Sequence, residues 1–131
     1  MIPYGYNTQV NPPAPFVLVT LRNPMTGEER TGVPAQFDTA ADRSVLPAAL
    51  VGALGLEPTG SGLFQGFDGP IARKPLYGVL LGVHTFPPRL VEVLAHPDER
   101  WILLGRDVLN EIRCLLDGPS RRLEIDDPSG P

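Results

Sequence analysis

Proline and glycine interrupt this chain so often that no long helix fits between them. The 131 residues include 16 prolines and 14 glycines, and the apolar segments between these breaks are short and rich in Val, Leu and Phe. Such segments favour β-strands, and the breaks supply the turns that join them. The sequence therefore predicts an all-β protein whose helices are confined to a few turns.

The length and composition predict a single folded domain. A chain of 131 residues can bury one hydrophobic core but is too short for two ordinary domains. An apolar fraction of 42% and a net charge of -4 exclude disorder over most of the length. We expect residues 1–14 to form an extended Pro-rich tail that needs a partner surface, residues 15–126 the domain, and residues 127–131 a C-terminal stub.

The composition also argues against several classes of function. Cys114 is the single cysteine and no stretch resembles a signal peptide, so the expected location is the reducing cytoplasm. No apolar run approaches the roughly 20 residues that span a bilayer, and no basic stripe suits nucleic acid. His84 and His96 lack a second ligand at a metal-like spacing. We therefore expect no membrane, nucleic acid, metal or cofactor.

The first candidate functional residue is Asp38, which ends a predicted hairpin. The segments "PFVLVTLR" and "TGVPAQFD" read as two strands, and "NPMTGEER" between them has the residues of a turn. Asp38 then opens the stretch "FDTAAD" (residues 37 to 42) at the end of the second strand. Taken alone, Asp38 or Thr39 could instead cap a helix over the following "AADRSVLPAAL".

A second unusual stretch is "WILLGRD", in the last third of the chain. Gly105 follows four apolar residues there and precedes an Arg-Asp pair, an arrangement that a simple bend would also explain. From Asp107 onward, the spacing of Val108, Leu109 and Ile112 predicts a short helix with Asp107 as its N-cap. Trp101 and Cys114 lie in apolar runs and are expected in the core.

Between these two stretches, residues 62 to 73 predict a hairpin with glycines near its tip. Its turn is expected at Gly66, Phe67, Asp68 and Gly69.

In this order, the stretches resemble the retropepsin-like aspartic proteases, the single-lobe relatives of the retroviral processing enzymes. In that family an apolar strand ends in Asp-Thr/Ser-Gly-Ala with another acid close behind, a hairpin flap follows, and a hydrophobic-hydrophobic-Gly-Arg-Asp/Asn sequence opens a short helix. The resemblance covers most of the chain and implies a closed, orthogonal β-barrel with a flap and one short C-terminal helix. Ala40 departs from the pattern, because the family has glycine at that position.

The resemblance also implies a role for each matching residue. Asp38 would be the catalytic residue, and the Thr39 hydroxyl would bond to the backbone of the opposite chain's signature loop and support both aspartates. Ala40 would belong to the same supporting loop. Asp42 would pair with Arg106, unless the two are separate solvated charges worth under about 1 kcal/mol. Leu104 and Gly105 would form the psi loop beside the active site, and Phe67 at the flap tip would cover that site or pack on Phe64.

An aspartic protease needs two carboxyl groups, whereas this chain offers one such aspartate. The resemblance therefore implies a symmetric homodimer in which Asp38 meets its symmetry mate. Two carboxylates about 3 Å apart, as in aspartic proteases generally, share one proton. The predicted function is that of an endopeptidase acting on extended polypeptide with apolar flanking side chains.

Two other interpretations remain open at this point. One is a dimerisation or peptide-binding module that keeps the fold, in which Ala40 in place of glycine indicates lost or weakened activity. The other is a β-barrel that binds small ligands, which leaves "FDTAAD" and "LLGRD" unexplained as a pair.

Overall fold

The computed structural model describes residues 1–65 and 69–128, and within these ranges the chain forms ten strands and two short helices. In chain order they are β1 (Ile2–Gly5), β2 (Phe16–Arg22), β3 (Glu29–Phe37), β4 (Val45–Pro47), α1 (Ala48–Ala53), β5 (Pro58–Gln65), β6 (Ile71–Val83), β7 (Arg89–His96), β8 (Ile102–Leu104), α2 (Arg106–Leu109), β9 (Arg113–Asp117) and β10 (Arg122–Asp126).

Six of the strands close into a barrel. They follow the order β2–β3–β8–β4–β7–β6, and β6 then pairs with β2 to complete the circle, while β5 extends from β6. Because strand side chains alternate between two faces, every strand sends one set of apolar side chains inward. The buried set includes Val17, Val19, Leu21, Ala35, Phe37, Leu46, Val79, Leu81, Val93, Ile102 and Leu104. The all-β prediction and the closed barrel are confirmed.

The predicted β2–β3 hairpin is present, and its turn is fixed by a buried asparagine. Asn23 is only 4% exposed, and its Oδ1 accepts hydrogen bonds from the amides of Met25 and Thr26. Its Nδ2 donates to the carbonyls of Leu54 and Gly55 beyond α1. The Asn23 side chain thus stabilises the turn and binds it to the end of α1. Strand β3 then pairs with β2 and ends at Phe37, one residue before the candidate aspartate.

The long hairpin β5–β6 occupies the position of the predicted flap. Its last described antiparallel pair is Gln65 with Ile71. Leu63 and Ile71 near that end are 63% and 66% exposed, so the end of the hairpin extends away from the barrel. The predicted tip residues Gly66, Phe67 and Asp68 lie outside the described residues, and Gly69 follows them.

A second, three-stranded sheet joins the two ends of the chain in the order β1–β10–β9. Within residues 1–14, predicted as an extended tail, Ile2 to Gly5 pair with Ile125 to Arg122 of β10, so this part of the segment belongs to the sheet. On β10, Leu123 and Ile125 are buried. On β9 all five residues are exposed, so the predicted core position of Cys114 is wrong.

Both helices are short. The resemblance implied one helix near the C-terminus, and α1 adds a second where "PAALVGALGL" allows one or two turns. Trp101, expected in the core, is half-buried, with the Phe16 ring edge-on at 5.1 Å and the Arg100 guanidinium 4.6 Å from its ring centroid. Over residues 1–65 and 69–128, neither helix has the length or apolar character to cross a membrane.

Candidate active site

Asp38 lies where β3 leaves the barrel wall beside β8. These strands are parallel neighbours, with Phe37 opposite Leu104. The Asp38 amide continues the ladder by donating to the Leu104 carbonyl at 2.9 Å, and the Asp38 carbonyl accepts from the Ala41 amide at 3.1 Å. The backbone of Asp38 is therefore held on both sides, while its side chain is only partly buried.

The Asp38 carboxylate makes a local turn contact, but no helix begins there. Its Oδ1 accepts a hydrogen bond from the Ala40 amide at 3.2 Å, which is the contact of an Asx turn. The interpretation of Asp38 or Thr39 as a helix cap is wrong, because the chain forms strand β4 and its helix begins only at Ala48.

Ala40, which replaces the family's glycine, does not need glycine's freedom in this chain. Positive φ among the described non-glycine residues occurs only at His84 and Arg121. The Ala40 backbone is therefore in a conformation that alanine adopts without strain. Its side chain is exposed, so the extra methyl group displaces nothing within the subunit.

Gly105 is required by close backbone approach. Its φ of -85° and ψ of -175° are open to any residue, so conformational freedom is not the reason for glycine. A Cβ at this position would lie 2.7 Å from the Arg43 carbonyl carbon and 2.9 Å from the Ala41 carbonyl oxygen. Glycine thus allows the start of α2 to lie directly against the loop that carries Asp38. The interpretation as a simple bend is wrong.

Hydrogen bonds of Ser44 and Asp107 also connect the loop after Asp38 with the start of α2. Ser44 is fully buried, and its hydroxyl donates to Asp107 Oδ1 at 2.7 Å while accepting from the Gly105 amide at 3.0 Å. The Ser44 amide donates to Asp107 Oδ2 at 2.9 Å. Asp107 is therefore not the predicted N-cap: Gly105 occupies that position, and the Asp107 carboxylate reaches across to the loop instead.

Arg106 also holds the loop, but not through the predicted partner. Its guanidinium Nη1 donates to the Thr39 carbonyl at 2.7 Å, and its amide donates to the Ala41 carbonyl at 2.9 Å. Between Asp42 and Arg106, both within the described residues, no ion pair is formed. The Asp42 side chain is exposed, and the Arg106 guanidinium is engaged by a backbone carbonyl.

The sequence contains a signal for the α2 side of these contacts but none for Ser44. Arg106 and Asp107 belong to the "GRD" stretch, which the sequence analysis singled out. Ser44 was missed, because its partner Asp107 lies 63 positions further along the chain and a lone serine gives no signal of burial. Only the pairing of β3, β4 and β8 brings the two together.

The arrangement presents the Asp38 carboxylate on a firmly held loop at the barrel edge, and the Asp42 carboxylate further along the same loop is exposed. Over residues 1–65 and 69–128, no three His, Cys, Asp or Glu side chains are grouped closely enough to hold a metal ion. Partial burial of the thiol by neighbouring atoms raises the pKa of Cys114, although the residue as a whole is exposed, and this favours the protonated, weakly nucleophilic form. The chemistry available on the loop is that of an aspartate carboxyl group.

Comparison with known proteins gives likeness in structure alone. No protein-family model matches the chain, and no curated protein sequence does. EIAV protease complexed with the inhibitor HBY-793 is similar with a TM-score of 0.58 and 22% identity, over 82% of this chain and 92% of that one. A retropepsin-like aspartic protease from Rickettsia conorii is similar with a TM-score of 0.56 and 16% identity, over 95% and 96%. This chain therefore has the fold of the retropepsin-like aspartic proteases.

Proposed function

We propose that the protein is a homodimeric aspartic endopeptidase with Asp38 of each chain as its catalytic residue. The observation that carries the proposal is the position of Asp38 in this fold. It follows β3 on a loop that is bonded to the Leu104 carbonyl and pressed against Gly105 without space for a side chain. Catalytic groups need such support, because small displacements of a reacting group lower the rate strongly.

The proposed reaction uses a water molecule between the two Asp38 carboxyl groups. The ionised carboxylate takes a proton from this water while the water oxygen attacks the peptide carbonyl carbon. The protonated carboxyl group donates its proton to the carbonyl oxygen. The carboxyl group that took the proton from water then gives it to the amide nitrogen, while the other carboxylate takes a proton from one hydroxyl of the tetrahedral diol. The C–N bond breaks to release an amine and a carboxylic acid, and the pair again holds one proton. No covalent enzyme intermediate forms.

The neighbouring residues have supporting roles in this proposal. Arg106 fixes the Thr39 carbonyl and thereby leaves the Thr39 side chain, which is exposed in the single chain, free to contact the partner's loop. Asp42 is likewise exposed. Because Ala40 adopts an ordinary backbone conformation, the change from glycine does not argue against activity.

The proposed substrate is an extended polypeptide that lies between the Asp38 loops and the β5–β6 hairpins. An extended peptide pairs its backbone with strand edges and places alternate side chains in pockets. The outer part of the hairpin carries the exposed apolar side chains Leu63 and Ile71. Their exposure supports a preference for apolar residues beside the cleaved bond.

The test is cleavage of an unstructured polypeptide, such as reduced and alkylated casein, at about pH 5, where a dyad that shares one proton is active. We expect cleavage by the wild-type protein and inhibition by a statine-type transition-state mimic. Asp38→Asn should abolish cleavage, because a carboxamide can neither accept the proton from water nor return it. Asp98→Asn, which changes an exposed aspartate in a turn, is the matched control and should keep full activity.

Cleavage that persists in Asp38→Asn would remove Asp38 from the mechanism. A wild-type protein that binds the statine-type inhibitor without cleaving any substrate would support the alternative of an inactive peptide-binding module. Thermal unfolding of both variants establishes that each compared protein is folded.

A further inference from the structure

A groove beside α1 is lined almost entirely by apolar side chains. It lies between α1 and the strands β3 and β8, and it encloses about 380 Å³. Small-molecule sites are concave, mostly apolar and about 300 to 1,000 Å³ in volume, so the groove has the size and character of such a site. The residues that line it include Pro34, Leu50, Ala53, Arg100, Trp101 and Ile102.

The polar side-chain groups of this groove are all hydrogen-bond donors. Arg100 and Trp101 are its lining residues with polar side chains, and the others are Val, Pro, Ala, Leu and Ile. A guanidinium group and an indole N–H donate hydrogen bonds and accept none. Over residues 1–65 and 69–128, neither group has an ion-pair partner or a hydrogen-bond acceptor. The polar end of a ligand must therefore accept hydrogen bonds, and a negative charge would complement Arg100.

The Trp101 ring holds the Arg100 charge at the groove. The guanidinium carbon lies 4.6 Å from the ring centroid, within the range of a cation–π contact. The buried Phe16 ring packs edge-on against the same indole at 5.1 Å and supports it from the barrel. Because an aromatic ring contacts the face of a guanidinium, the N–H groups in its plane stay available for a carboxylate.

We propose that this groove binds a small amphiphilic carboxylate, with its hydrocarbon part along α1 and its carboxylate at Arg100. The apolar lining accepts the hydrocarbon, and the donors of Arg100 and Trp101 match the two acceptor oxygens of a carboxylate. A neutral amphiphile would leave the Arg100 charge unmatched. The inference goes beyond the proposed function and does not depend on it, because Asp38 does not line the groove.

Octanoate is the probe for this site, and Trp101 reports its binding. Trp101 is the single tryptophan of the chain, so a saturable change in tryptophan emission comes from the groove. We expect this change with a dissociation constant of about 1 mM or below, and one bound octanoate per chain in equilibrium dialysis. Acetate, which lacks the hydrocarbon, should bind at least about tenfold more weakly. Octanamide, the neutral analogue of the same shape, should bind at least about threefold more weakly.

Arg100→Gln tests the contact with the carboxylate. We expect octanoate to bind this variant at least about threefold more weakly, and octanamide to bind it as it binds the wild-type protein. Arg113→Gln is the matched control, because it removes an equal charge from the exposed strand β9 and should leave both affinities unchanged. Equal octanoate affinity in Arg100→Gln and the wild-type protein would overturn the recognition of a carboxylate by Arg100.

Two substitutions in α1 test where the hydrocarbon lies. Ala53 is an exposed lining residue of the groove, whereas its neighbour Gly52 is exposed on α1 and does not line the groove. Ala53→Glu brings a negative charge into the groove and should weaken octanoate binding at least about tenfold. Gly52→Glu adds the same charge to α1, where a Cβ meets nothing within 4 Å, and should change the affinity by less than about twofold. Undiminished binding to Ala53→Glu would mean that octanoate lies elsewhere and would overturn the proposal.

The outcomes separate this inference from the proposed function. Asp38→Asn should bind octanoate as the wild-type protein does, because Asp38 is not part of the groove. No change in tryptophan emission and no retention in dialysis up to about 10 mM octanoate would overturn the ligand site and leave the protease proposal standing. Octanoate binding with the expected effects of Arg100→Gln and Ala53→Glu, in a protein that cleaves nothing, would establish the site and overturn the protease proposal.

Discussion

Among single residues, Gly105 constrains the candidate site most strongly. Its missing side chain allows the backbone of α2 to contact the backbone at Ala41 and Arg43, and its amide binds the Ser44 hydroxyl. Gly105 therefore contacts the segment that follows Asp38 through both its Cα and its amide, while its carbonyl accepts from the Val108 and Leu109 amides of α2. The sequence indicated that this glycine was unusual, but only the packing shows that space is the reason.

Gly105→Ala should destabilise the protein and loosen the loop. The added Cβ would lie less than 3 Å from two backbone groups, which cannot move without displacing the loop. We expect the free energy of unfolding to fall by about 3 kcal/mol, the upper end of the overpacking range, as measured by urea denaturation.

Gly52→Ala is the matched control for this substitution. Gly52 lies in α1, and nothing lies within 4 Å of a Cβ added there. Since alanine favours helix over glycine, this variant should be more stable by about 0.5 to 1 kcal/mol. Equal effects of the two substitutions would contradict the close-approach argument.

Ser44→Ala should lower stability through lost hydrogen bonds. The Ser44 hydroxyl is buried between the Gly105 amide and the Asp107 carboxylate, and its loss leaves both without that partner. A buried polar group left unpaired costs about 1 to 3 kcal/mol, and we expect a loss of that size in urea denaturation.

Ser61→Ala provides the comparison for Ser44→Ala. Ser61 is exposed on β5, where its hydroxyl accepts a hydrogen bond from Arg73. Its removal should change the free energy of unfolding by less than about 0.5 kcal/mol. A stable Ser44→Ala protein would mean that the buried network contributes little to holding the loop.

Among the elements, those defined by local signals were predictable. The β2–β3 hairpin and the long β5–β6 hairpin both follow from glycines, prolines and apolar runs in the sequence. The β1–β10 pairing was not predictable, because it joins opposite ends of the chain. The exposure of Cys114 was not predictable for a similar reason. An apolar run predicts that Cys114 lies in a strand, but not whether a distant part of the chain covers that strand.

Strand β1 should contribute to stability through one face only. Ile2 and Tyr4 pack against the barrel core, whereas Pro3 between them is exposed. Ile2→Ala with Tyr4→Ala should therefore lower the free energy of unfolding by about 2 to 4 kcal/mol, below the sum for two fully buried side chains. Urea denaturation of this double variant measures the effect.

Pro3→Ala alters the opposite face of the same strand. This exposed position should change stability by less than about 0.5 kcal/mol. A loss in Pro3→Ala similar to that in the double variant would indicate that β1 contributes through backbone pairing with β10 and not through its side chains.

For the whole molecule, the proposed mechanism depends on one aspartate per chain, Asp38. Among the described residues, it is the aspartate that directly follows a barrel strand and lies beside the Gly105 turn. Peptide hydrolysis by the proposed mechanism needs one carboxyl group that accepts a proton and one that donates. The proposed activity must therefore belong to the pair of chains and vanish when either chain lacks its carboxyl group.

Mixing wild-type chains with Asp38→Asn chains tests this property of the pair. If subunits exchange freely, an equal mixture contains homodimers and mixed dimers in a 1:2:1 ratio, so activity should fall to about half that of the wild-type chains alone. Further Asp38→Asn protein should lower it further, because the remaining wild-type chains are increasingly held in mixed dimers with one carboxyl group. Asp98→Asn chains, added in the same amounts, should cause no such loss. Activity that is unchanged by excess Asp38→Asn protein after exchange would mean that a single chain is sufficient for the reaction, and the two-carboxyl mechanism would then be wrong.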